Sequence, residues 1–110
     1  MMKRAKVFFQ EDFAGLLTED ENGYTFVYND DYLQKEDAKA VSLTLPLHEK
    51  SYNSQVMFPF FDGLIPEGWL LDIAVQSWKI DLRDRMSLLL ACCKDCIGAV
   101  SIVPLLEEEI

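Results

Sequence analysis

Cys92, Cys93 and Cys96 form a C-C-x-x-C cluster, the grouping in this sequence with the most obvious capacity for chemistry. A structural zinc site needs four ligands, and the single histidine, His48, stands far away in a different stretch of chain. A redox C-x-x-C places its attacking thiol at a helix N-terminus, where the helix dipole lowers the thiol pKa. Cys93 instead falls at the expected C-terminal end of a helix, where the dipole acts the other way. The cysteines therefore read as small buried hydrophobes of a reducing compartment, and their odd number argues against a secreted disulfide framework. No Ser or Cys nucleophile pairs visibly with His48, which reads as a loop side chain. Asp62 and Glu67 flank Gly63-Leu64-Ile65-Pro66, but acid/base work would need a cleft that drives their pKa values apart. They read as a turn former and a first-turn helix residue. A Gly-rich phosphate loop, a catalytic-loop Asp with its following Asn and a nucleotide-pairing Lys are all missing. The expectation is a chain with no catalytic residue, no cofactor and no metal.

The remaining dense feature is residues 58–69, with Phe58, Phe60, Phe61 and Trp69, two prolines and two glycines. Part of it must plug a core where sheet meets helices. Trp69, however, lies off the apolar stripe of the helix that follows, and an exposed Trp beside a rigid turn is the kind of anchor that dominates interface energetics.

The elements that would position these residues divide the chain in two. Residues 6–9 and 13–18 are β-prone, with Gly15 as a bulge or close-packing point, and Asp20-Glu21-Asn22-Gly23 carries hairpin turn chemistry. Tyr24, Phe26 and Tyr28 alternate with Thr25 and Val27, placing three aromatics on one strand face. Residues 29–40 are polar and read as a loop with one helical turn. Val41, Leu43 and Leu45 alternate with Ser42 and Thr44, which predicts a half-buried strand ended by Pro46. Residues 47–59 have no clear period. Across 67–79, Leu71, Ala74, Val75 and Trp78 follow helical spacing, with Trp69, Ile73 and Gln76 on the opposite side. A second helix is predicted to start near Asp81, capped by it, with a stripe of Leu82, Met86, Leu89 and Cys93. Gly98 would break it before a last β-prone segment at 99–103, and Glu107-Glu108-Glu109 reads as a frayed tail. The predicted fold is α+β: one small domain over 1–110, with an antiparallel sheet from the N-terminal half, two or three C-terminal helices and a final short strand.

Composition limits the partners. Nineteen acidic against ten basic residues give a net charge of −9 with the cations scattered, which disfavours direct nucleic-acid binding. The apolar start is shorter than a secretory h-region of about seven residues, and no later run reaches the roughly 18 residues of a membrane span. A soluble, cytoplasmic protein is expected.

Four ordered stretches resemble HipA-like proteins. Residues Phe60-Phe61-Asp62-Gly63-Leu64-Ile65-Pro66-Glu67-Gly68-Trp69 are similar to that family's F-x-x-L-L-P-E-G segment, with Ile65 where Leu is usual. Gly23-Tyr24-Thr25-Phe26-Val27-Tyr28 with Asp31-Tyr32-Leu33 resembles its strand and acidic-Tyr turn. Val41-Ser42-Leu43-Thr44-Leu45-Pro46-Leu47 resembles its S-L-S-L-P strand, and Asp95-Cys96-Ile97-Gly98-Ala99-Val100 its D-x-x-G-A ending. The resemblance spans about residues 6–104. It implies the first part of a Ser/Thr kinase toxin, with the ATP-, metal- and catalysis-carrying residues in later parts that match nothing here. A chain of this length resembles the HipS subunit of split HipBST toxin–antitoxin systems. It would then bind a separate HipA/HipT-like Ser/Thr kinase chain and inhibit it as an antitoxin, the kinase's targets in the family being aminoacyl-tRNA synthetases, with a HipB-like helix-turn-helix protein as a third component. The implied docking surface is Trp69 with Phe60, Phe61, Leu64, Ile65 and Glu67. Open alternatives are a subunit that activates or completes a split kinase, a piece of a single-chain HipA kinase, and a thiol-redox or metal-binding protein using the cysteines.

Overall fold

The computed structural model describes residues 3–65, 84–92 and 99–105. The expected helix at 67–79, the Asp81 cap, Cys93, Cys96 and the acidic tail lie outside the described residues. Within them, strands β1 (Lys3–Phe9), β2 (Asp12–Asp20), β3 (Gly23–Tyr28), β4 (Tyr52–Ser54) and β5 (Val100–Pro104) form one sheet. Its order is β4-β3-β2-β1-β5, with every pairing antiparallel. Helices α1 (Asp30–Leu33), α2 (Pro59–Asp62) and α3 (Arg85–Cys92) complete the described elements, and the α+β architecture is as expected.

The β1–β2 connection turns at Gln10, which takes a positive φ of 57°. Val7 then pairs with Gly15 while Phe8 pairs with Phe13, so Ala14 is an extra, bulged residue on β2. Its carbonyl accepts the Asn29 N–H at 2.8 Å, which anchors the chain where α1 begins. Gly15, paired with Val7 next to that bulge, fills the close-packing role expected of it. A Cβ there would stand 2.5 Å from the Val27 carbonyl oxygen and 2.8 Å from the Phe26 ring, so only glycine lets β2 and β3 meet at this register. The β2–β3 hairpin closes as its sequence predicts, with Asn22 N donating to Asp20 Oδ1 at 2.8 Å and Gly23 at φ 128°.

One sheet face is the core. Ala5, Val7, Leu17, Phe26, Tyr28 and Ile102 point into it and meet Phe58, Phe61, Ile65, Met86, Leu88 and Leu89 from the helical half. Removing this much apolar surface from water is the main drive to fold. Tyr28 brings a polar group along, and its hydroxyl must find partners. It accepts the Val41 N–H at 3.0 Å and donates to the Leu45 carbonyl. Burial, only partly opposed by the Val41 hydrogen bond, pushes this hydroxyl pKa up to about 12.

That contact corrects the reading of residues 41–45 as a strand. Only the single bridge Ser42↔Leu45 forms there, around a turn in which Thr44 N donates to Ser42 Oγ at 3.2 Å. Val41 and Leu45 are buried, whereas Leu43 is 100% exposed at the tip. Alternation placed three side chains on one face, but the Tyr28 hydroxyl captures the backbone at both ends of the segment and folds it back. The strand next to β3 is instead β4, in the stretch that shows no periodicity, and the Tyr52 hydroxyl ties it to the Pro46 carbonyl at 2.6 Å.

Candidate docking site

Residues 58–65 hold the part of the implied docking surface that the structure describes. Phe58 stays extended at the N-cap, and Pro59 opens α2 at a position where its missing N–H costs nothing. The chain turns through Asp62 N to Phe58 O at 2.9 Å and Gly63 N to Pro59 O at 2.9 Å. This short turn divides its apolar side chains between two environments. Phe61 is wholly buried, with ring centroids 5.4 Å from Phe26, 6.1 Å from Phe58 and 5.2 Å from Phe60. Ile65 is 4% exposed and also in the core. Phe60 and Leu64 are half-buried, packed on the core's edge with the rest of their surface open to solvent. The six residues grouped by sequence therefore separate. Phe61 and Ile65 are buried in the core, Phe60 and Leu64 are half-buried at its edge, and Glu67 and Trp69 lie outside the described residues.

One charged contact braces this segment and a second ties β1 to the start of α3, and both escape a sequence reading because they join residues distant along the chain. Asp62, read as a turn former, accepts a 2.6 Å hydrogen bond from Arg85 Nε at the start of α3. Asp84, just before α3, accepts Ser87 N at 3.1 Å and Ser87 Oγ at 2.8 Å, which caps the helix from a position three residues beyond the expected Asp81. Lys3 Nζ reaches the same carboxylate at 3.0 Å, tying the first residue of β1 to the helix. Burial pushes the Asp84 carboxyl up, but the Lys3 and Ser87 hydrogen bonds outweigh it and hold the group below its ordinary value. Nearby, burial and a hydrogen bond to Glu19 push the Tyr24 hydroxyl up to about 12.

Elsewhere the described surface holds little that could perform chemistry. His48 Nδ1 accepts the Lys50 N–H at 3.1 Å in an exposed loop, consistent with a structural turn role. Among the described residues, no group of three His, Cys, Asp or Glu side chains is placed to hold a metal ion, and no helix is long and apolar enough to cross a membrane. The concavities they line are open to solvent, one bounded by Leu33, Leu47, His48, Glu49 and Lys50 and another by the polar β2–β3 turn and β4.

Comparison with known proteins places this geometry. The family model for the HipA N-terminal domain matches residues 5–103. An uncharacterised protein of Haemophilus influenzae is 36% identical over 102 residues, covering 93% of this chain and 92% of that protein. A putative kinase of Sinorhizobium fredii, Y4mE, is 28% identical over 98 residues, 88% of this chain but 23% of the kinase. Among solved structures, an N-terminal domain of HipA toxin superposes with a TM-score of 0.75 at 32% identity, covering 96% of this chain and 94% of that one. A chain from the Shewanella oneidensis complex of HipA, HipB and operator DNA superposes with a TM-score of 0.74 at 26% identity, and the match spans 25% of its length.

Proposed function

This chain belongs to the HipA N-terminal domain family, and from that premise we propose that it is the non-catalytic docking subunit of a toxin–antitoxin system, binding a separate HipA-type Ser/Thr kinase chain and restraining it. The observation that carries the reading is one of length. The same domain is about a quarter of the Y4mE and Shewanella HipA chains but nearly all of the Haemophilus protein, so it occurs both fused and on its own scale. A fused domain packs against the rest of its chain. A separate one must recover that contact across an interface, where a few anchoring side chains carry most of the energy.

Phe60 and Leu64 suit that task because Phe61 and Ile65 hold their backbone in the core, which lowers the entropy lost on binding. Glu67 and Trp69, three and five residues beyond Leu64, complete the proposed surface. A HipB-like helix-turn-helix protein is proposed to join through the kinase, with no nucleic-acid contact by this acidic chain itself.

The test is co-expression with a HipA-type kinase chain that lacks its own copy of this domain. Stable co-purification with relief of kinase toxicity is the expected result. Co-purification with raised kinase activity would reverse the sign and make the chain an activating subunit, and failure to associate would overturn the docking reading. Trp69→Ala is expected to weaken the complex by about 2 kcal/mol or more, the usual threshold for a central aromatic anchor.

A further inference from the structure

We propose that Asp62 and Arg85 form a positioning pair for the docking segment, so that the ion pair sets affinity for the kinase chain while contributing little to folding. The inference rests on the docking reading above and adds to it the residues that orient the surface. Asp62 lies between the two presented side chains, Phe60 and Leu64, and is the last residue of α2. Arg85 is the first residue of α3. Each charge therefore sits at the end of its helix where the dipole opposes it, an anion at a C-terminus and a cation at an N-terminus. Local helix energetics favours neither placement. What reconciles them is the 2.6 Å contact from Arg85 Nε to Asp62 Oδ1, across 23 positions of sequence.

The side chains are 32% and 42% exposed, so solvent screens the pair and its share of folding stability is small. Its geometric effect is larger. α2 is a single turn of four residues, too short to hold an orientation by its own hydrogen bonds, and its buried anchors are Phe61 with Phe58 just before it and Ile65 just after it. The Asp62 contact adds a tie on the partly exposed side of the turn, between Phe60 and Leu64, where the buried anchors do not reach. Arg85 is held by more than this bond to Asp62.

The experiment is a charge-swap cycle on the full chain, with affinity for the kinase chain and thermal midpoint measured for Asp62→Arg, Arg85→Asp and the double variant. Each single reversal is expected to weaken kinase binding on the order of tenfold, the scale of coupling within one ion-paired network. The thermal midpoint should move by no more than about 5 °C. The double variant should recover most of the affinity, because the restored pair orients α2 whichever side carries which sign. Single reversals that bind like the parent would overturn the inference while leaving the docking reading intact. A double variant no better than the singles would also overturn it, since restoring the pair would then fail to restore the affinity. If the parent chain does not bind the kinase at all, the docking reading falls and the positioning role falls with it. Should a single reversal unfold, Asp62→Asn and Arg85→Gln give the same comparison without repulsion.

Discussion

Replacing Tyr28 by Phe removes one oxygen and tests how the 41–45 turn is held. The hydroxyl accepts the Val41 N–H at 3.0 Å and donates to the Leu45 carbonyl, and both of those residues are buried. The ring itself should stay, because it meets Phe26 edge-on at 4.9 Å and stacks on Tyr32 at 6.3 Å without using the oxygen. The variant therefore loses two hydrogen bonds worth about 1 kcal/mol each net, and more if the orphaned backbone groups stay dry, since each then costs about 1–3 kcal/mol. A total of about 2–4 kcal/mol follows, which in a domain of this size corresponds to a thermal midpoint lowered by roughly 10–25 °C. Urea unfolding would give the free energy, and amide hydrogen exchange at Val41 would localise it. The loop should exchange faster than the sheet in the variant and not in the parent. A loss below about 0.5 kcal/mol with Val41 as protected as before would refute the argument, because it would mean that the turn holds itself through Ser42 and Thr44.

Other substitutions probe other parts of the account. Gly15→Ala should cost about 1–3 kcal/mol in urea unfolding, since its Cβ would fall 2.5 Å from the Val27 carbonyl and the backbone would have to move. Phe61→Ala should cost about 3–5 kcal/mol and Phe60→Ala only about 1 kcal/mol, while kinase affinity should respond to Phe60 in a chain that remains folded. Because the Asp84 carboxyl is held below its ordinary 3.8, its stabilising contribution is complete above that value and is lost as pH falls below it toward the folded-state value. Asp84→Asn should accordingly flatten the acid limb of a stability-against-pH curve, and an unchanged limb would show that the Lys3 contact adds nothing.

The Tyr24-Phe26-Tyr28 face, the hairpin at Asp20-Glu21-Asn22-Gly23, the special place of Gly15, the single turn of α1 and the last strand were legible in the sequence. Each depends on residues within a few positions of one another, where backbone periodicity and turn chemistry act directly. The proposed docking segment was legible only as a segment. Its division into buried Phe61 and Ile65 against presented Phe60 and Leu64 needed the position of the sheet beneath it, because two apolar pairs, one in a one-turn helix and one just after it, carry too short a pattern to name the inner face.

Three features were decided by tertiary structure alone. Val41–Leu45 has the alternation of a strand, yet a hydroxyl 13 residues earlier folds it into a turn, while aperiodic residues 52–54 take the place beside β3. The Lys3–Asp84 and Asp62–Arg85 pairs join residues 81 and 23 positions apart. Local sequence determines what each element prefers to be. Which polar group a buried hydroxyl captures, and which charges meet, depends on the three-dimensional neighbours that the packed sheet and helices bring together, and for the Tyr28 hydroxyl the cost of staying unpaired in the core outweighs a local preference of a few tenths of a kcal/mol per residue.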